Sequence, residues 1–162
     1  MVDALNVAAF GPGRFAKSAY RLREGVSHIE NLAFVAIEKR KFLGSVRFWP
    51  VMTGGHTALM LGPLAVRADQ RGRGIGVALM ERGLEAARKR GHEVVILIGD
   101  EPYYARVGFS KLPPGRIRFP GPVDPSRILG RSLKSGAALN LSGEVRRAGL
   151  DEPRCADGAG LG

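Results

Sequence analysis

Arg71-Gly72-Arg73-Gly74-Ile75-Gly76 lies between an apolar run, Leu59 to Val66, and a helix-patterned run, Val77 to Arg90. A glycine-rich turn that ends a strand and opens a helix leaves backbone N–H groups unpaired and pointing outward. Such a turn can seat an anion such as a pyrophosphate. A Cβ at the glycine positions would obstruct both the backbone angles and the approach of the phosphates. Arg71 and Arg73 add positive charge and bidentate hydrogen-bonding capacity. The stretch is not a P-loop, because no Gly-Lys-Ser/Thr follows. It also departs from the dinucleotide spacing Gly-x-Gly-x-x-Gly, which would put the third glycine at Val77. Taken alone, it is either a phosphate-binding loop or a tight strand-to-helix turn.

The surrounding pattern alternates strands and helices. Upstream, Asp3 to Phe10 and Arg14 to Arg23 read as helices separated by Gly11-Pro12-Gly13. Ala33 to Glu38 and Phe42 to Trp49 read as a hairpin around Lys39-Arg40-Lys41. Ala58 to Val66 reads as a strand interrupted by Gly62-Pro63, where a missing ladder donor predicts a bulge or splay. The helix after the glycine loop carries Ile75, Leu79, Leu84 and Ala87 on one stripe. It offers Glu85 to Lys89 as an i, i+4 pair, and Gly91 ends it. Val94 to Ile98 is continuously apolar, as a strand buried on both faces should be. A last strand is expected over Ile128 to Leu133, and a loose tail from Gly149.

Downstream of the loop stands Tyr103-Tyr104-Ala105-Arg106-Val107-Gly108-Phe109. With the loop and the strand before it, this ordered set resembles the GNAT superfamily of acyl-CoA-dependent N-acetyltransferases. The family's loop pattern Gln/Arg-x-x-Gly-x-Gly/Ala is matched by Arg71, Gly74 and Gly76. Its aromatic-Tyr-x-x-x-Gly-Phe pattern is matched by Tyr103, Tyr104, Gly108 and Phe109. The match spans roughly residues 30 to 112. The wording Gly99-Asp100-Glu101-Pro102-Tyr103-Tyr104 is similar to a YhbS-like bacterial branch. The resemblance implies an α/β GNAT fold, with a mixed central β-sheet splayed around acyl-CoA and flanked by helices. Family members begin with a strand ahead of the first helix. Here the chain starts almost at that helix, so the first strand is expected to be missing: either the start was chosen too late, or another segment covers that sheet edge. One GNAT domain is expected over residues 1–148, with residues 149–162 as a flexible tail.

Composition narrows the alternatives. The 162 residues suit one domain with a proper core, and 44% hydrophobic with 25% charged residues is ordinary for a globular protein. No apolar run reaches the roughly 20 residues that span a bilayer, and the acidic Met1-Val2-Asp3-Ala4 start lacks a basic signal region. Cys155 stands alone, so no intrachain disulfide forms, and no Cys/His cluster has metal-ligand spacing. A cytoplasmic protein without metal is expected, with homodimerisation left open. The net charge of +10 raises nucleic acid as a partner. However, the basic residues are scattered, Arg outnumbers Lys throughout, and 7% aromatics offer no stacking platform, so that partner is disfavoured.

The resemblance assigns roles to particular residues. Backbone groups of Leu64, Ala65 and Val66 would pair with the pantetheine amides of acetyl-CoA. The N–H groups of Arg71, Gly72, Arg73, Gly74, Ile75 and Gly76 would hold its pyrophosphate. Tyr104 occupies the family's tyrosine position and would act as general acid towards the departing thiolate. A phenol ordinarily keeps its proton up to about pH 10. The alternative is that Tyr104 packs in the core, which is how Tyr103 reads. The base is open between Asp100, Glu101 and a water relay. Asp100 could instead cap the helix that includes Pro102, and His56 reads as an exposed turn residue. The leading reading is an N-acetyltransferase in which an amine attacks acetyl-CoA directly in a ternary complex, the acceptor being left open. A non-catalytic acyl-CoA sensor and a basic nucleic-acid-binding module are the competing classes. Cys155 lacks a partnering His, which argues against a covalent route.

Overall fold

The hairpin around Lys39 and Arg40 is tighter than its sequence suggests. Both residues take positive φ, 49° and 65°, so the turn follows the strand twist directly. The computed structural model describes Leu22, Arg23 and residues 28–148. The helices read over Asp3 to Phe10 and Arg14 to Arg23 lie outside those residues, apart from helical Leu22 and Arg23, as does the tail beyond residue 148.

The strands are β1 (Ala33–Glu38), β2 (Lys41–Thr53), β3 (His56–Val66), β4 (Val94–Ile98), β5 (Ser110–Lys111), β6 (Ile117–Arg118), β7 (Ile128–Ser132) and β8 (Gly143–Arg147). Helix α1 (Ile75–Lys89) connects β3 to β4, and the short α2 (Glu101–Tyr104) follows β4. The sheet runs in the order β5-β7-β4-β3-β2-β8-β6, with β1 also paired to β2. It is antiparallel except where β3 meets β4 and β6 meets β8.

Both faces of the central strands are covered, which explains their continuous apolar runs. Leu59, Leu61, Val95 and Leu97 face a cluster completed by Phe48 and by Leu79, Met80 and Leu84 of α1. Met60, Val94 and Ile96 face the opposite way, towards Trp49, Phe119, Leu141 and Val145. The buried stripe of α1 is wider than expected: Met80 and Gly83 join Leu79, Leu84 and Ala87, while Ile75 is only half-buried. Glu85 pairs more closely with Arg88, at 2.7 Å, than with Lys89, at 3.9 Å. Gly91 takes φ 89° just past the helix end, where a left-handed residue closes the last turn.

Strand β8 is legible only in the structure. Val145 is its one buried residue, so it shows no apolar run. It pairs with Val51–Thr53 on the edge of β2 that β1 leaves uncovered beyond Arg47. Strand β8 thus covers the far half of the β2 edge whose near half is held by β1. Among the described residues no strand precedes Ala33.

The feature that positions the site is the parting of β3 from β4. Opposite the single residue Arg47, β3 carries two, Gly62 and Pro63: Val46 pairs with Leu64 and Phe48 with Leu61. This is the bulge expected at the proline. Pairing of β3 with β4 is confined to Leu59↔Val95 and Met60↔Ile96. Beyond the bulge, Leu64–Val66 pair with β2 on one edge and, among the described residues, with no strand on the other.

Candidate active site

A cleft of about 360 Å³ opens where the strands part, within the size range of small-molecule sites. One wall is Leu64, Ala65 and Val66 of β3. Arg67 N donates to Leu43 O at 2.8 Å. In an antiparallel ladder, residues bonded to the partner alternate with residues that turn their backbone groups away. Ala65 is therefore bonded to β2, while Leu64 and Val66 present N–H and C=O groups to the cleft.

The floor is the loop and the start of α1: Gln70, Arg71, Gly72, Gly74, Ile75, Gly76 and Val77. Gly74 is the N-cap in a left-handed conformation, φ 80°, and no side chain caps the helix. The first bond inside the helix is Ala78 N to Gly74 O at 3.0 Å. The N–H groups of Ile75, Gly76 and Val77 are thus available at the positive end of a four-turn helix whose first turn holds no acid. Gly72 at φ 87° and Gly74 flank Arg73, so two left-handed glycines shape the loop. A side chain at residue 74 would point into open space but would require that strained backbone.

The two loop arginines part company. Arg71 lines the cleft. The Arg73 guanidinium instead donates to both carboxylate oxygens of Glu38, at 3.2 and 3.1 Å, and to Gln70 Oε1. That contact holds the Glu38 carboxyl below its ordinary range, through the hydrogen bond first and the charge second. Arg73 is therefore a strut between the loop and the end of β1, and its side chain does not line the cleft.

The far wall is Tyr103, Tyr104 and Arg106. The spacing Tyr-x-x-x-Gly-Phe has a local cause. Helix α2 runs into a 3-10 turn over Ala105–Val107, and Gly108 at φ 84° reverses the chain. Phe109 N then donates back to Tyr104 O at 3.2 Å, and Phe109 enters the core with its ring 6.2 Å from Tyr104. The other side of the Tyr104 ring lies directly on Gly99, where a methyl group would overlap it. Tyr103 meets Tyr104 edge-on at 5.0 Å and carries the Arg106 guanidinium at 5.8 Å from its ring centroid. Burial pushes the Tyr103 phenol up, and Arg106 partly opposes this.

Among the described residues no carboxylate and no histidine lines the cleft. Asp100 is the N-cap residue of α2, but its side chain makes no cap bond; it faces solvent and pairs with Arg127 at 3.4 Å. Glu101 accepts from Lys111 N at 2.9 Å. His56 is exposed at the opposite end of β3, ten residues from Val66, or roughly 33 Å at strand rise. Gln70, Val77, Tyr103 and Arg106 are the lining residues that sequence reasoning left out. Two of them stand inside the tyrosine motif itself, and Gln70 adjoins Arg71. Among the described residues no cluster of metal-ligating side chains occurs, and no helix is long and apolar enough to cross a membrane.

A family model described as Acetyltransferase (GNAT) family matches residues 2–109. The chain belongs to the GNAT acetyltransferase family. It is 33% identical over 147 residues to the Escherichia coli (strain K12) protein "Uncharacterized N-acetyltransferase YhbS", covering 89% of this chain and 87% of that one. Among solved structures it resembles the GNAT N-acetyltransferase YhbS from Escherichia coli in complex with CoA. The TM-score is 0.71 at 30% identity, over 90% of this chain and 82% of the other. It also resembles a GNAT acetyltransferase from Brucella melitensis in complex with acetyl-CoA, with a TM-score of 0.55 and 28% identity over 86% and 88% of the two chains. The splayed mixed sheet with flanking helices is thus the GNAT fold that the two sequence motifs implied.

Proposed function

We propose that this protein is a cytoplasmic N-acetyltransferase that moves the acetyl group of acetyl-CoA to an amine by direct attack in a ternary complex. The observation that carries this is the unpaired edge of Leu64 and Val66, which leads from the α1 N-terminus to the Tyr104 ring within one cleft. An extended chain bearing amides at one end and phosphates at the other matches that sequence of groups. The amides would add to the strand edge as a further strand does, and the diphosphate would sit on the N–H groups of the loop and the first turn of α1. Two solved relatives hold CoA and acetyl-CoA, which supports the same donor here.

Acetyl-CoA supplies an activated thioester. The strand edge holds that thioester in register beside the cleft's tyrosine wall, a proximity effect. As the acceptor nitrogen bonds to the carbonyl carbon and the carbon–sulfur bond breaks, the electron pair leaves on sulfur. Tyr104 gives that sulfur a proton and regains one from solvent. The nitrogen must also lose a proton. Asp100 and Glu101 are engaged elsewhere, which favours water as the carrier. The products are an N-acetylated amine and free CoA.

The test is release of CoA thiol from acetyl-CoA by the purified chain across a panel of small amines, amino acids, peptides and lysine-bearing proteins. Acceptor-dependent release with intersecting initial-rate lines is expected. Parallel lines, or a burst of acetylated protein before turnover, would replace direct attack with a covalent route.

A further inference from the structure

With the diphosphate at the α1 N-terminus and the amides along Val66 and Leu64, the thioester end of the donor comes to the bulge at Gly62-Pro63. If the pairing of Leu59 with Val95 and of Met60 with Ile96 ran on, Pro63 would stand across from Gly99, on which the Tyr104 ring lies. The bulge and Tyr104 therefore flank the same point of the parting. Tyr104 packs on the α1 side of the sheet. An acceptor reaching the thioester from the other side meets whatever stands at the bulge there.

That side is built around a guanidinium. Arg23 Nη1 stands 3.7 Å from where a Cβ on Gly62 would be. The Arg23 guanidinium carbon lies 6.0 Å from the Trp49 ring centroid, and His28 meets that ring edge-on at 5.7 Å. Trp49 is buried in the cluster that faces away from α1, so Arg23 approaches the bulge from that face. The indole offers the guanidinium a cation–π contact that helps to orient it. Arg47, opposite the bulge on β2, stands between Val46 and Phe48, both of which face α1. Strand alternation therefore turns Arg47 to the Arg23 face. Two partly buried cationic side chains thus attend the bulge on the face away from α1.

We infer that the acceptor is an amine that also carries a carboxylate, an amino acid or a small derivative of one, and that Arg23 binds that carboxylate. This rests on the transferase reading above. A planar guanidinium matches a carboxylate through two parallel hydrogen bonds. Arg47 adds attraction for an anion and repels polycations, which disfavours polyamines. The same positive charge favours the neutral amine, the form that attacks, over the ammonium. The amine nitrogen bonds to the thioester carbon and the carbon–sulfur bond breaks. The nitrogen's proton passes to water, and Tyr104 protonates the sulfur. The products are an N-acetylated amino acid and CoA.

The experiment measures acceptor-dependent release of CoA thiol by the full chain with matched series: the common amino acids, their carboxamides, and the amines left when the carboxyl group is removed. Wild type, Arg23→Gln and Arg23→Lys are compared, with melting curves to show folding and calorimetric titration of CoA to follow the donor site. For the amino acid used best, kcat/KM should exceed that of its carboxamide by about 10- to 100-fold, the range expected of charged hydrogen bonds. Arg23→Gln should raise KM for the amino acid and bring that ratio close to one. Arg23→Lys, a point charge without the fork, should keep part of the preference. A carboxamide or decarboxylated amine used as well as the amino acid by wild type overturns the inference. So does an equal loss on every series in Arg23→Gln, or a loss of CoA affinity that accounts for it. Release with lysine-bearing proteins alone overturns this inference and leaves the transferase reading standing. Wild type that binds CoA but releases no thiol with any acceptor removes the transferase reading, and this inference falls with it.

Discussion

The hydroxyl of Tyr103 rests so closely against Gly76 that a methyl group on residue 76 would overlap it. This contact joins the tyrosine wall of the cleft to the first turn of α1, and so ties the glycine-loop floor to the tyrosines. It also gives the last glycine of the loop a steric reason that does not involve a ligand.

Gly76→Ala should therefore destabilise the protein although alanine favours helix by about 1 kcal/mol. Overpacking costs about 1–3 kcal/mol, so a fall of about 2–4 °C in melting temperature is expected for a chain of this size. Adding Tyr103→Phe removes the overlapping oxygen and leaves Tyr103 Cζ at 3.7 Å, an ordinary contact. The double variant should recover wild-type stability or exceed it. If the second substitution brings no recovery, the close contact is not what disfavours alanine.

Tyr104→Phe keeps the ring between Gly99 and Phe109 but removes its proton. Turnover should fall by about 10²–10⁴-fold, with CoA affinity and melting temperature little changed. A large loss of stability with turnover intact would make Tyr104 a packing residue instead.

Legibility followed how far a residue's environment is written in its own segment. Val94 to Ile98 was readable residue for residue, because a strand covered on both faces has no polar position. Gly62-Pro63 announced the bulge because proline lacks the ladder donor. Strand β8 was not readable: with Val145 alone buried among Glu144, Arg146 and Arg147, its pairing is dictated by the bare edge of β2. In the site, glycine and tyrosine spacing pointed to the loop and to the Tyr104 wall. The division of labour between Arg71 and Arg73 depends on Glu38, 35 positions away, and no local pattern carries that. Nor could sequence show that Asp100 and Glu101 turn towards Arg127 and the Lys111 backbone, away from the cleft.

The Glu38–Arg73 strut should give stability a pH dependence of known sign. The folded-state carboxyl titrates below its ordinary value of 4.5. Its contribution is therefore present above 4.5 and is lost as pH falls through the lower folded value. Both side chains are about half-exposed, so the effect is small and salt-sensitive. Melting curves of wild type and Glu38→Gln should differ near neutral pH and converge in acid. A gap that persists in acid would mean that the glutamate acts by packing.

Thr53 Oγ1 donates towards Ser142 O at 3.2 Å and Gly143 O at 3.4 Å, clipping the start of β8 to the end of β2. Thr53→Val keeps the shape and removes the donor, at an expected cost of about 1–2 kcal/mol in denaturant titration. Thr53→Ser should retain most of the stability. A loss in Thr53→Ser with Thr53→Val unaffected would assign the effect to the methyl group.

Those clipped residues stand 89 and 90 positions apart, and this sets an order on the making of the sheet. The first hairpin leaves the ribosome early, whereas the piece that seals the far half of its outer edge is added only when residue 147 has been synthesised. Until then Val51–Thr53 present unpaired peptide groups beside apolar neighbours, a template on which a second nascent chain can dock. The five residues of β8 thus act as an edge guard. Shortening the chain from its C-terminal side so that β8 is removed should promote aggregation.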